Sequence, residues 1–164
     1  MKYVPVDVDE VAMAMSLNTY EYTHYLNTDT GEVVMIEAGL MDFDYDDELA
    51  IRRLPEWQRE LMPVLRQIDE TDIFEAIPSI PVQEKIEVMF NFAQLVETEE
   101  LQGKLFQALQ QEHLGMRKFK SILAYYPEIE QQWFLCEEEY LRRQVLEWLA
   151  SLGLGPLHKP VCVK

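Results

Sequence analysis

An acidic run in the first third of the sequence is the strongest candidate for chemistry. Residues 42–48 hold five carboxylates, and the first aspartates alternate with aromatic residues. Asp42, Asp44 and Asp46 match the first, third and fifth ligand positions of a calcium-binding EF-hand loop. The sixth position, which needs glycine, is Asp47, and the twelfth, which needs a bidentate glutamate, is an arginine. The run therefore predicts no more than a weak, nonspecific cation site.

A second run carries the opposite charge. Residues 117–120 hold three bases in four positions, within a stretch, 113–127, that contains no acid. Beside Phe119 and two tyrosines, these bases could hold a phosphate and stack a nucleic-acid base. Phe119 and Tyr126 fall on an apolar helical stripe, however, and the net charge of −16 opposes nucleic acid. We favour core packing beneath a solvated cationic face.

The histidines and cysteines form no reactive constellation in the sequence. His24 lies in a predicted strand, His113 at a helix end and His158 near the last residues, without the spacing of a zinc site or a catalytic elbow. Cys136 and Cys162 lack the context that lowers a thiol pKa. With six scattered glycines there is no phosphate-binding loop either. We therefore assign no catalytic residue, metal ligand or cofactor.

The N-terminal elements that would position the acidic run are a helix and a β-hairpin. Asp7 is suited to cap a helix over 8–17. Strands are predicted over 20–27 and 32–37, joined by a turn at 28–31, with 3–6 as a candidate third strand. If Asn27 faces Glu32, both faces of the hairpin carry apolar side chains, so the hairpin must be covered by other elements.

The middle of the chain has a weaker pattern. Residues 38–48 are predicted to form an acidic loop, followed by a helix over 47–53 and another over 55–69 that Pro63 should break or kink. Residues 77–81 are predicted to be an extended connector, because a residue that precedes proline is disfavoured in the helical region.

The C-terminal half is predicted to form four helices in succession, over 82–96, 99–112, 116–125 and 128–152, with Gly153 ending the last. Glu138–Arg142 and Glu139–Arg143 are expected as surface pairs on the last helix. Its inward residues are predicted to be Ile129, Trp133, Cys136, Tyr140, Leu141, Val145, Trp148, Leu149 and Leu152.

Length and composition are typical of a globular, cytoplasmic protein with free thiols. The chain has 164 residues, 48% of them hydrophobic and 27% charged, without a segment suited to span a membrane. The fold class is predicted to be α+β and mostly α, with a C-terminal helical bundle packed against an N-terminal β-hairpin or small antiparallel sheet. We expect one domain over 1–155, with an acidic hairpin-containing part at 1–76 and a helical part at 82–152, and a flexible tail at 156–164.

Several stretches resemble a known family. Three of them are residues 119–129, the pair Trp133-Phe134, and residues 146–149. In the first, a basic-aromatic segment leads into Tyr126-Pro127. They are similar to Uncharacterised Protein Family 0158, small bacterial proteins, as are Ile77-Pro78 and the hairpin at 29–34. The resemblance covers 77–155 and, more weakly, 20–37. It implies a bacterial protein without an assigned activity, so no catalytic residue is carried over.

Clustered charge without a reactive constellation predicts noncatalytic binding of another protein with a basic surface. The acid excess lies mainly in residues 1–50, which hold twelve acids against Lys2 alone. The alternatives are a metal-dependent enzyme that uses the 42–48 carboxylates, and binding of nucleic acid or phosphate through 117–120. We expect no membrane partner, disfavour nucleic acid, and leave a homodimer open. The candidate binding residues are Asp42, Asp44, Asp46, Asp47, Glu48, Arg117, Lys118 and Lys120.

Overall fold

The computed structural model describes residues 1–17, 20–112 and 114–157. The chain divides into two compact units: unit 1 is Met1–Ser79 with Gln144–Lys164, and unit 2 is Ile80–Arg143. The strands are β1 (Lys2–Val4), β2 (Tyr22–Asn27), β3 (Val33–Glu37), β4 (Phe74–Ala76) and β5 (Leu154–Pro156). The helices are α1 (Val8–Ser16), α2 (Ala38–Met41), α3 (Glu48–Arg52), α4 (Glu56–Arg59), α5 (Met62–Glu70), α6 (Val82–Gln94), α7 (Glu99–Leu109), α8 (Gly115–Leu123) and α9 (Pro127–Ser151). The mostly α, α+β class is confirmed, with a small sheet in the N-terminal part and helices in the C-terminal part.

The predicted hairpin forms with the expected register. Leu26 pairs with Val33, and the Asn27 amide donates to the carbonyl of Glu32 at 2.8 Å. In the turn, Asn27 Oδ1 accepts hydrogen bonds from the amides of Asp29 and Thr30 at 2.9 and 3.0 Å. This side chain satisfies two turn amides that would otherwise need water, which fixes the strand register.

The third strand of this sheet is β4, so the prediction of 3–6 was wrong. β4 lies antiparallel along the other edge of β2, with Tyr25 opposite Ala76. β1 pairs instead in parallel with β5, where Val4 and Leu154 are both buried. β5 thus includes Pro156 of the tail predicted at 156–164, and residues 158–164 of that tail lie outside the described residues.

The middle of the chain is more helical than predicted. Residues 38–41, assigned from the sequence to the acidic loop, form the single turn α2, because Leu40 is buried against the hairpin residue Ile36. Pro63 does divide the predicted helix 55–69 into α4 and α5, and it lies in the first turn of α5, where its missing N–H costs no helical hydrogen bond. Ile36 and Leu40 form the centre of the unit 1 cluster with Met62 and Leu65.

The core of unit 2 is aromatic. The ring of Trp133 on α9 meets Phe92 of α6 and Phe119 of α8 edge to face, with centroids 5.3 and 5.2 Å apart. Leu101 and Leu105 of α7 are buried in the same cluster. The inward face predicted for α9 is confirmed, since every residue assigned to it is buried or half-buried. The boundary between the two units falls within α9, after Arg143.

Among the described residues, no helix combines the length and the apolar character that crossing a membrane requires.

Gly31 and Gly153 both have a positive φ, but only Gly31 lies close to another part of the chain. At Gly31 (φ +81°) an added Cβ would lie 2.5 Å from the carbonyl oxygen of Pro5, whereas at Gly153 (φ +73°) it would meet nothing within 4 Å.

We predict that Gly153→Ala lowers the free energy of unfolding by about 1–2 kcal/mol, the cost of the left-handed conformation. Gly31→Ala should cost more, roughly 3 kcal/mol or above, because Pro5 must also move. Guanidinium chloride denaturation measures both, and equal losses would contradict the close approach.

Candidate functional site

The acidic segment, residues 42–48, is held on unit 1 by its aromatic side chains. Phe43 and Tyr45 pack against the cluster formed by Ile36, Leu40, Met62 and Leu65. The aspartates at 42, 44 and 46 alternate with these rings and are exposed. The segment therefore anchors through every second residue and displays carboxylates between the anchors.

Two aspartates of the segment also shape its backbone. Asp44 Oδ1 accepts from the amide of Asp46 at 3.0 Å, which closes a tight turn. Asp47 caps α3 by accepting from the amide of Ala50 at 3.1 Å. Within the described residues, neither Asp42 nor Glu48 has a side-chain hydrogen bond or ion pair, although the charge of Glu48 suits the first turn of α3.

A cation of α5 lies beside the segment. Arg66 donates to Asp46 Oδ1 at 2.7 Å, contacts Glu70 at 3.5 Å, and holds its guanidinium carbon 4.9 Å from the centroid of the Tyr45 ring. The hydrogen bond to Asp46 is the main reason that the pKa of Arg66 is raised. Arg66 was not predicted as a site residue from the sequence, although it is the only base between Glu60 and Glu84.

Asp69 of α5 acts on the phenol of Tyr45. Burial, a hydrogen bond with Asp69 and the charge of that carboxylate raise the pKa of Tyr45. The pKa of Tyr25 on β2 is raised as well, first by burial and then by the same carboxylate. The charge of Asp69 thus raises the pKa of one tyrosine in the acidic segment and of one in the sheet.

The aspartates predicted as cation ligands do not converge. Across residues 1–17, 20–112 and 114–157, no three histidine, cysteine, aspartate or glutamate side chains form a group that could hold a metal ion. One carboxylate of the EF-hand-like spacing, Asp46, faces Arg66 instead. The alternation with rings that pack against the core turns these side chains outward, whereas an EF-hand loop wraps its ligands around the ion.

The basic segment, residues 117–120, lies on α8 in unit 2. Arg117, Lys118 and Lys120 are exposed, whereas Phe119 between them is fully buried, as its periodicity predicts. Tyr126 packs against the same core, so of the three rings weighed for base stacking Tyr125 alone remains exposed. The segment presents charge without a continuous stacking surface.

Lys85 of α6 belongs to this cationic region and was missed in the sequence. Burial lowers its pKa, and the charge of Lys120 lowers it further, while Glu137 of α9 acts in the opposite direction. Thirty-five residues of sequence separate the two lysines, so no local spacing reveals their proximity.

The remaining candidate side chains are half-buried in regular elements. Burial lowers the pKa of His24 in β2. In α9, burial and then Glu139 and Glu137 raise the pKa of the Cys136 thiol, which disfavours the reactive thiolate. His113, His158 and Cys162 lie outside the described residues.

Two adjoining hollows lie among α6, α7 and α8, with volumes of about 270 and 350 Å³. Ile86 and Leu109 line both, and Phe90, Phe106 and Met116 add further apolar surface. Arg117 borders one hollow and Glu87 the other. Neither hollow gathers a nucleophile with a base.

Comparison with known proteins gives one family. The profile of the Uncharacterised protein family (UPF0158) matches residues 4–159. A UPF0158 protein of Pseudomonas aeruginosa is 28% identical over 156 residues, which cover 95% of this chain and 88% of the relative. The match includes residues 38–76, where the sequence patterns gave no resemblance. No solved structure matches the chain.

The contact between the acidic segment and α5 can be tested by titration. Because Asp69 favours the neutral phenol, Asp69→Asn should lower the pKa of Tyr45 toward its ordinary value of about 10. Tyrosinate absorbance measures this shift as the difference between each protein and its Tyr45→Phe counterpart. Asp72→Asn, which removes an exposed charge two residues after α5, should leave the titration unchanged. An unaltered Tyr45 titration in Asp69→Asn would show that the ring is not docked on α5.

Proposed function

The chain belongs to the Uncharacterised protein family (UPF0158), and from its acidic surface we propose that it is a noncatalytic bacterial cytoplasmic protein that binds a basic surface of another protein. The contact is the acidic segment, residues 42–48. The observation that carries the proposal is the alternation of half-buried rings, packed against the core, with exposed aspartates in this segment.

The alternation matters because it fixes the carboxylates before a partner arrives. A disordered acidic tail loses conformational entropy when it binds, whereas a segment anchored by Phe43 and Tyr45 has already lost most of that freedom. The turn at Asp44 and the cap at Asp47 restrict the backbone further. Pre-organised carboxylates favour a surface that presents matching cations in a fixed arrangement.

The surrounding charge supports a basic partner. Residues 1–79 carry eighteen acids and five bases, and one of these bases, Arg66, already pairs with Asp46 and Glu70. Clustered charge of one sign accelerates encounter with the opposite sign and rejects like-charged surfaces. Such attraction is screened by salt, because the Debye length falls to about 8 Å at physiological ionic strength.

We predict salt-dependent binding of a fluorescent oligo-lysine peptide. Affinity measured by anisotropy should fall at least about tenfold between about 50 and about 300 mM salt, because the contact consists mainly of exposed charges. The variant Asp42→Asn/Asp44→Asn/Asp47→Asn/Glu48→Gln should bind more weakly and lose most of the salt dependence. Its asparagines can still accept the turn and cap hydrogen bonds, and Asp46 is kept for Arg66.

The control removes the same number of charges elsewhere, at the exposed residues Glu97, Glu99, Glu112 and Glu128. It should keep both the affinity and the salt dependence of the wild type. Circular dichroism and the melting temperature verify that both variants fold. Binding that is indifferent to salt, or equally weakened in the control, would contradict the proposal.

A further inference from the structure

The outer strand of the sheet in unit 1 pairs on one side alone within the described residues. The strand order is β3-β2-β4, so β2 is paired on both sides and β3 only with β2. The Asn27 amide donates to the Glu32 carbonyl at one end of this ladder, and the Ala38 amide donates to the Glu21 carbonyl at the other, each at 2.8 Å. Hydrogen-bonded pairs alternate along an antiparallel ladder. The backbone groups of residues 34 and 36 therefore point toward β2, and those of residues 33, 35 and 37 point away from it.

The outward amides and carbonyls of Val33, Met35 and Glu37 are here called the open edge. They form no hydrogen bond within the described part of the chain, and Met35 is 51% exposed. Proteins usually shorten such an edge or interrupt it with proline or lysine, because it can pair with any extended chain. β1, β4 and β5 follow this rule with three residues each, whereas β3 has five and contains neither proline nor lysine.

Carboxylates lie at both ends of the open edge. Glu32 precedes β3 and is exposed, and Glu37 is its last residue. Gln58 Nε2 donates to Glu37 Oε2 at 2.9 Å, which orients this carboxylate. Residues 1–79 carry eighteen acids and five bases. A second copy, which would bring its own acids to this edge, is therefore repelled, and a basic segment is attracted.

From this arrangement we infer that the open edge binds an extended segment of a basic partner protein as a fourth strand of the sheet. The segment exchanges backbone hydrogen bonds with β3, and its central apolar or β-branched side chains lie beside the apolar residues of that strand. A lysine or arginine at each end meets Glu32 and Glu37. The inference rests on the proposed function in taking the partner to be basic, but it assigns a contact other than the acidic segment.

The inference is tested with the peptide acetyl-Lys-Val-Thr-Ile-Thr-Lys-amide, whose two bases have the same spacing as the two glutamates. Amide hydrogen exchange is measured by NMR with and without about 1 mM peptide, a concentration suited to weak binding. The amides of Val33, Met35 and Glu37 should exchange at least about twofold more slowly with peptide, because they gain hydrogen bonds. Those of Val34 and Ile36 should change less, because they are already bonded to β2.

Two methylated peptides separate strand addition from attraction by charge alone. One carries N-methyl groups on the amides of its second, fourth and sixth residues, and the other on those of its third and fifth. Because only alternate amides of an added strand face its neighbour, one peptide should lose most of its affinity and the other should retain it. Equal affinity of the two peptides, which have the same charge, would overturn the inference.

Charge variants provide a matched control. Glu32→Gln/Glu37→Gln should weaken peptide binding at least about threefold, since the attraction at both ends is lost, and it keeps an acceptor for Gln58. Glu97→Gln/Glu99→Gln removes the same number of charges at exposed positions and should bind like the wild type.

Three further results would overturn the inference. They are absence of peptide binding, binding without slower exchange at the open edge, and slower exchange that grows with protein concentration in the absence of peptide, which would identify a second copy as the occupant. The variant neutralised in the acidic segment should keep the slower exchange with peptide. Failure of the proposed function and failure of this inference therefore give different results.

Discussion

The packing of Trp133 between Phe92 and Phe119 determines how unit 2 displays its charge. Each of the three helices α6, α8 and α9 contributes one ring, and the edge-to-face contacts leave little freedom to rotate any of them. With Phe119 fixed inward, its neighbours on α8 must point outward, and these are bases. The indole N–H of Trp133 has no hydrogen-bond partner in the described part of the chain. A buried donor without a partner normally costs about 1–3 kcal/mol of stability, and the ring packing must offset this cost.

The acidic segment of unit 1 is also positioned by aromatic side chains that pack against a core. Phe43 and Tyr45 pack against the cluster around Ile36, and the aspartates that alternate with them are exposed. In both units, aromatic side chains that pack against the core lie between charged residues that are exposed. The charged surfaces are therefore consequences of core packing and are specified by the same residues.

Elements with a long apolar repeat could be predicted from the sequence, and those that depend on distant partners could not. The four C-terminal helices lie within three residues of their predicted ends, because the apolar stripe recurs over several turns. β4 and β5 have three residues each, too few to show an alternation, and their partners are remote in the sequence. In the candidate site, the exposed carboxylates were foreseen, but Arg66 was not, because it lies twenty residues from Asp46. Local spacing carries no information about such a contact.

The pairing of β1 with β5 imposes an order on biosynthesis. In this parallel pair, residue 2 lies opposite residue 154. β1 therefore cannot pair with β5 until almost all of the intervening chain has left the ribosome. The antiparallel sheet of β2, β3 and β4 needs only residues up to 76 and can assemble first. During that interval the edge of β1 and the apolar side chain of Val4 lack their final cover. The first strand of the chain is therefore among the last elements to reach its native contacts.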